Sequence, residues 1–334
     1  MNATSSPIEF VNRLRSLKRP VLFSHRKPDG DALGALVGLQ HLLAGLGIQA
    51  SPYLYEPLPP RLALIPQFGD IPIWKGDPTL TSGCDGLVIL DTCANTQLEP
   101  IAGLLSSTAL PKLVIDHHQT RDEIADAYWI DTSASATCLM LFELAQATQW
   151  SMSPVAANAL FIGIATDTGW FRHSNTDART HQAAARLHAW GVDVSAIYNR
   201  LCLQESVARL RLLGEAMRSL ELLSNNQLAV MSLDQLAFTR CGATPADTED
   251  VVNEPLRVAD VVVSVLFVEQ PDGIVRANFR SKAPIEGLIP DIDVARAANQ
   301  FGGGGHRRAA GARFTMPLAD ARTAVIEHVL GLFV

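Results

Sequence analysis

Several features are scarce in this sequence, and each scarcity excludes a class of protein. Its five cysteines, Cys84, Cys93, Cys138, Cys202 and Cys241, are scattered, odd in number and never spaced as C-x-x-C. This argues against a disulfide framework and a thiolate zinc site, and it predicts a reducing, cytoplasmic setting. Long apolar runs are missing too. The longest, Val261–Val268, is closed by Asp260 and Glu269 and is strand-sized, far short of a bilayer span. Met1 to Pro20 carries Glu9, Arg13, Arg15, Lys18 and Arg19 but no apolar h-region, so neither a signal peptide nor membrane attachment is expected. A basic excess is also lacking. The formal net charge of −7 argues against a broad cationic surface for long or duplex nucleic acid, where phosphate neutralisation supplies most of the affinity. A small anionic ligand held locally stays compatible, because two divalent ions would bring about four positive charges into one site.

Core material is plentiful. The 334 residues are 48% apolar and 18% charged, enough for two folded domains without disorder. Apolar runs alternating with helical patterns predict an α/β architecture. Strands are expected at Pro20–Ser24, Gln49–Tyr55, Gly86–Leu90 and Lys112–Ile115, of the kind buried in a parallel sheet. Helices are expected at Asp31–Leu46, Ser135–Thr148, Pro154–Thr166 and Ala178–Trp190. Residues 193–220 stay helical and read as a connector between a first domain, residues 1–192, and a smaller mixed α/β domain, residues 221–334. In that second domain strands are expected at Leu228–Leu233, Asp260–Glu269, Ile274–Arg280 and Gly311–Met316, and helices at Asp291–Gln300 and Leu318–Leu332. The glycine run at 302–305 is the only low-complexity stretch.

Three of the apolar strands end in residues that metals favour. The first delivers His25 and then Asp29-Gly30-Asp31, the next Asp91, and the third Asp116-His117-His118. In an open parallel sheet the carboxyl ends of strands share one rim, so these distant residues are expected to converge. Pro28 and Gly30 predict a turn from which Asp29 and Asp31 both project from a loop, toward two different ions. Asp167 closes an otherwise apolar helical segment and offers a further carboxylate. Taken singly, Asp91 or Asp167 reads as a cap, His25 as a structural histidine, and Asp-His-His as coincidence. Taken jointly, so many carboxylates and imidazoles at one rim would repel unless cations lay between them.

These residues resemble the DHH phosphoesterase superfamily, whose motifs are matched by His25-Arg26-Lys27-Pro28-Asp29-Gly30-Asp31, Asp91, Asp116-His117-His118 and Asp167. Phe301-Gly302-Gly303-Gly304-Gly305-His306-Arg307-Arg308-Ala309-Ala310-Gly311 looks like the glycine-rich signature of the DHHA1 domain, and Val275–Ser281 resembles its arginine-bearing strand. The resemblance covers nearly the whole chain, at a size similar to stand-alone bacterial nano-RNases. Ala35 departs from it, at a position where many relatives carry a small hydroxyl residue.

The resemblance implies a DHH catalytic domain, a DHHA1 substrate-binding domain and two ions, Mn2+ with Mg2+ as the alternative. His25, Asp29 and Asp91 would hold one ion; Asp31, Asp91, His117 and Asp167 would hold the other, with Asp91 bridging. His118 would face the substrate phosphate, and Asp116 would orient an imidazole, so that Asp91, Asp116 and His118 form the catalytic set. Gly303, Gly304 and Gly305 would offer an anion nest of backbone N–H groups beside His306 and Arg307, with Arg280 and Ser281 as further substrate contacts. Arg172 and His173, in the loop Gly169–Thr176, would add a base-stacking or phosphate contact. The implied substrates are short single-stranded RNA or linear dinucleotides, cleaved to mononucleotides, and the nucleotide bisphosphate 3′-phosphoadenosine-5′-phosphate, converted to AMP. A cleft closing on the connector would exclude long nucleic acid. A homodimer is compatible with the sequence. The alternatives are a RecJ-type single-strand DNA exonuclease, a family-II pyrophosphatase, a cyclic-dinucleotide phosphodiesterase, and a non-catalytic nucleotide- or RNA-binding module.

Overall fold

The computed structural model describes residues 7–76 and 83–333. The chain divides into two compact units, Met1–Gln204 and Glu205–Val334. Among the described residues, the first unit is built on five parallel strands in the order β2-β1-β3-β4-β5. These are β1 (Pro20–Phe23), β2 (Ser51–Pro52), β3 (Gly86–Leu90), β4 (Lys112–Asp116) and β5 (Ala127–Ile130). Successive side chains of a strand point to opposite faces. Here both faces are covered, so the strands are apolar throughout. Val21, Phe23, Leu87 and Ile89 pack on one side with Trp74 and Tyr128. Leu22, Val88, Leu90 and Ile115 pack on the other with the helices that frame the site.

The helices of this unit are α1 (Pro7–Ser16), α2 (Gly30–Ala44), α3 (Pro60–Ala63), α4 (Pro66–Gly69), α5 (Ala102–Ser107), α6 (Thr137–Thr148), α7 (Pro154–Asp167), α8 (Ala178–His188) and α9 (Val194–Cys202). Helix α2 is apolar nearly all round because α7 and α6 pack against it. Glycines every fourth residue set the α2–α7 approach. A Cβ on Gly30 would lie 2.3 Å from Thr166 Oγ1, and one on Gly34 would lie 2.4 Å from the Ala159 carbonyl oxygen. This close crossing brings the start of α2 beside the end of α7.

Two elements differ from the expected pattern. Strand β5 had no clear signal, because only Ala127 and Tyr128 are buried while Trp129 and Ile130 stay partly exposed. The expected strand Gln49–Tyr55 shrinks to Ser51–Pro52, since Pro52 has no N–H to donate and sits on the sheet edge.

The second unit carries a six-stranded mixed sheet, order β10-β11-β9-β8-β7-β6 among the described residues. Its elements are α10 (Val207–Arg218), β6 (Glu221–Leu223), β7 (Leu228–Leu233), α11 (Gln235–Cys241), β8 (Val263–Glu269), β9 (Val275–Ser281), α12 (Val294–Asn299), β10 (Gly304–His306), β11 (Ala309–Phe314) and α13 (Leu318–Leu330). Only β7 and β8 pair in parallel. Val263, Val265 and Phe267 face a cluster with α12 and α13. Leu266 and Val268 face one with α10 and α11. The helical stretch 193–220 is shared between the units: α9 buries Ile197 in the first, and α10 buries Leu212 and Ala216 in the second. No helix among the described residues is long and apolar enough to cross a membrane.

Part of the glycine run is already engaged within the domain. The N–H groups of Gly302 and Gly303 donate to Asn299 and Ala298, ending α12, and Gly304–His306 form the edge strand β10. Glycine is needed there for close approach, because a Cβ on Gly303 would lie 2.2 Å from the carbonyl oxygen of Gly311.

Candidate metal centre

Strands β1, β3 and β4 are neighbours and parallel, so their carboxyl ends lie side by side. His25 follows β1 after Ser24, whose hydroxyl donates to the Leu90 carbonyl at 2.8 Å and ties the ends of β1 and β3 together. Asp91 follows β3 directly with φ at 62°, a left-handed conformation that swings its carboxylate off the strand. Asp116 ends β4, and His117 and His118 come next. Asp29 is the N-cap of α2, accepting from the N–H groups of Asp31 and Ala32 at 3.0 and 3.1 Å. Asp31 therefore stands in the first helical turn, not in a loop as the Pro-x-Gly pattern suggests. Asp167 is the last residue of α7.

Six of these side chains are brought together. His25 Nε2 lies 3.9 Å from Asp29 Oδ1 and 3.5 Å from Asp91 Oδ2. His117 Nε2 lies 3.6 Å from Asp91 Oδ1, 3.6 Å from Asp167 Oδ2 and 3.9 Å from Asp31 Oδ2. His25, Asp29 and Asp91 thus form one donor group, and Asp31, His117 and Asp167 another. The two oxygens of Asp91 face the two groups separately. His118 Nδ1 lies 3.8 Å from Asp91 but only 2.8 Å from Asp116 Oδ1, so its closest bond is to the residue that ends β4.

The electrostatics of this cluster call for positive charge. Asp31 and Asp91 are 1% and 2% exposed, values that leave almost no water to screen them. Burial, and then the neighbouring carboxylates of Asp31 and Asp29, push the Asp91 carboxyl well up. Burial, followed by Asp31 and Asp29, pushes Asp167 up to about 7. Burial lowers His25. The hydrogen bond to Asp116 raises His118, against the opposing effect of burial.

His117 decides whether a cation suits the site. Its Nδ1 lies 3.1 Å from the carbonyl of Ala134, and a carbonyl only accepts, so Nδ1 carries the proton. Nε2, the other ring nitrogen, is turned toward three carboxylates and is buried without a hydrogen-bond partner. The carboxylate oxygens stand 3.6–3.9 Å from it, too far for a hydrogen bond and spaced as donors around a divalent ion would be. The nitrogen and oxygen donors fit a hard or borderline divalent metal.

Comparison with known proteins agrees with this chemistry. The family model described as DHH family, N-terminal domain, matches residues 20–164, and the DHHA1 domain model matches residues 225–332. The chain belongs to the DHH/DHHA1 phosphoesterase family. It is 29% identical over 330 residues to the bifunctional oligoribonuclease and PAP phosphatase NrnA of Bacillus subtilis, covering 96% of this chain and 99% of that protein. A protein of Streptococcus mutans named probable bifunctional oligoribonuclease and PAP phosphatase NrnA is 28% identical over 90% of this chain and 91% of its own length. The fold matches a crystal structure of an exopolyphosphatase-related protein from Bacteroides fragilis with a TM-score of 0.86 at 24% identity, covering 97% of this chain and 95% of that one.

Arg172 and His173 follow Asp167 in the loop after α7. Arg172 is exposed, its Nε donating to the Gly169 carbonyl at 2.7 Å, and His173 is an exposed neighbour of Gly169. Trp170 and Phe171 pack against the core, Trp170 on Tyr198 and Phe171 on Phe161 and His181. Residues that sequence reasoning passed over contribute more. The N–H groups of Thr137 and Cys138 donate to Asp31 at 2.6 and 2.9 Å, and the Thr137 hydroxyl donates to Asp91 at 3.0 Å. The signal for them was local: Thr137 opens an apolar helix directly after a run of small residues.

In the DHHA1 domain, Arg280 lies half-buried on β9, and burial lowers its guanidinium from the usual range. His306 is exposed on the edge strand. Ser281 is buried, donating to the Ile292 carbonyl at 2.9 Å and accepting from Arg308. Arg307 and Arg308 both pair with Asp291. Gly303, Gly304 and Gly305 shape the β10–β11 edge.

Proposed function

We propose that this DHH/DHHA1 protein hydrolyses phosphate esters in short single-stranded RNA and linear dinucleotides to mononucleotides, and converts 3′-phosphoadenosine-5′-phosphate to AMP. One observation carries the reading: Asp91 presents one oxygen to His25 and the other to His117, each inside a separate donor group. His25, Asp29 and Asp91 would hold one divalent ion, and Asp31, Asp91, His117 and Asp167 the second. Mn2+ is the first choice and Mg2+ the alternative. When bound, such a pair of ions supplies charge neutralisation at the attacking and leaving oxygens of an in-line displacement at phosphorus.

The protein's own residues supply the rest. Asp116 accepts a hydrogen bond from His118 Nδ1 and favours the imidazolium, whose second N–H, on Nε2, can donate to a phosphate oxygen. The half-exposed position of His118 leaves that edge open to substrate. Arg280 and His306 are the DHHA1 residues best suited to a phosphate, since Ser281 is committed to Ile292 and Arg307 to Asp291. Both named relatives, similar over most of this chain, combine an oligoribonuclease with a PAP phosphatase. The negative net charge favours a short substrate over a long one, and the cysteine pattern favours the cytoplasm.

Product analysis tests this reading, with Mn2+, 5′-labelled RNAs of two to about twenty nucleotides, and 3′-phosphoadenosine-5′-phosphate. Mononucleotides released chiefly from the shortest RNAs, and AMP from the bisphosphate, are the expected products. Degradation of long single-stranded DNA in preference to these would favour an exonuclease of the RecJ type. Tight Mn2+ binding without turnover of any substrate would favour a binding module.

A further inference from the structure

Three of the six clustered donor side chains, His117, Asp31 and Asp91, are held by one short stretch, Ala134 to Cys138, and a fourth donor residue, Asp167, is tied to it through Asn175. Ala134 accepts from His117 Nδ1 at 3.1 Å. The carbonyl of Ser135 accepts from Asn175, which also donates to the carbonyl of Asp167 at 3.3 Å. The N–H groups of Thr137 and Cys138 hold the two oxygens of Asp31. All of these are backbone contacts of the stretch and survive substitution. The exception is the hydroxyl of Thr137, which donates to Asp91 Oδ1 at 3.0 Å.

That bond is well placed to matter. Thr137 is fully buried and is the first residue of α6, so no carbonyl one turn earlier in the helix competes for its hydroxyl. The terminal torsion of an aspartate is broad, and nothing in its covalent structure stops the carboxylate from rotating. Thr137 grips the oxygen that faces His117 and thereby leaves the other facing His25. A carboxylate free to rotate could turn both oxygens to one ion.

We infer that Thr137 is a positioning residue that holds Asp91 as a bridge between two cation positions. The inference rests on the two-ion reading of the site. Its test takes the full-length wild type, Thr137→Val and Thr137→Ser, titrates each with Mn2+ alone by calorimetry, and records electron paramagnetic resonance of the loaded proteins. Wild type is expected to take two ions and show an exchange-coupled pair. Thr137→Val keeps the shape and removes the donor; it is expected to bind one ion about 10- to 100-fold more weakly and lose the coupled signal. Thr137→Ser keeps the donor and is expected to retain both ions and the coupling. Unchanged binding and coupling in Thr137→Val overturns the assignment, and so does an equal loss in both variants, which would assign the effect to packing. A wild type that takes fewer than two ions overturns the two-ion reading and this assignment with it. If circular dichroism shows Thr137→Val unfolded, Thr137→Ala replaces it under the same criteria.

Discussion

His117 donates from Nδ1 to the carbonyl of Ala134, and this single bond leaves its Nε2 bare among the carboxylates of Asp31, Asp91 and Asp167. A main-chain acceptor holds the ring orientation, so Nε2 is the nitrogen offered to a cation.

Asp91→Ala removes the side chain whose two oxygens face His25 and His117. Mn2+-dependent turnover is expected to fall to background while the fold remains, because the substitution also deletes a buried charge surrounded by like charges. Thermal melts check this: Mn2+ at a hundred times its dissociation constant should stabilise wild type by about 2.7 kcal/mol and leave the variant unmoved. Retained activity in the variant would sink the two-ion scheme.

Gly34→Ala presses a Cβ against the backbone of Ala159 and the sulfur of Cys138. Overpacking of this kind costs about 1–3 kcal/mol. Since α2 and α7 carry Asp31 and Asp167, Mn2+ affinity is expected to fall along with the denaturation midpoint. A variant with wild-type stability would show that the helices separate freely.

Arg179 joins Asp131 to Glu143 at 2.9 and 2.6 Å, linking the segment after β5 to α6 and α8. Burial alone would raise the Asp131 carboxyl, but hydrogen bonds from Ser133 and Arg179 outweigh it and hold the group below its ordinary range. A depressed carboxyl stabilises the fold above its unfolded value, about pH 3.9, and the contribution is lost as pH falls through the lower folded value. Asp131→Asn is therefore expected to cost up to about 1 kcal/mol at neutral pH and progressively less below about pH 4. Parallel urea titrations at several pH values measure the difference, and a pH-independent cost would exclude this origin.

Arg280→Ala is expected to raise KM for short RNA about tenfold, the equivalent of about 1.4 kcal/mol, with Mn2+ binding unchanged. Arg307→Ala should raise it less, because that guanidinium is already engaged by Asp291. Steady-state kinetics on both variants would reverse the two assignments if Arg307 proved the larger contributor.

The donor residues were legible in the sequence for a physical reason. A buried parallel strand announces itself as a short apolar run, and whatever polar residue ends the run must lie at the rim. His25, Asp91 and the Asp116–His118 triplet could be read that way. The positions of Asp29 and Asp31 could not, because the choice between loop and helix depended on which N–H groups the Asp29 side chain would accept. Ser281 and Arg307 sit in recognisable motifs, yet their side chains are engaged by Ile292 and Asp291, partners eleven and sixteen residues away in sequence.

Composition and periodicity thus determined the α/β class, the two-domain order and the identities of the residues at the strand ends. Those properties follow from local patterning, which each segment carries alone. Tertiary structure decided that Asp91 divides its oxygens between two imidazoles, that His117 bares Nε2, and that Thr137 holds the arrangement from outside the motifs. It also decided that the glycines line a tight strand pair. Such features depend on contacts between segments far apart in the chain, and distances of a few ångströms across a packed core are written in no single segment.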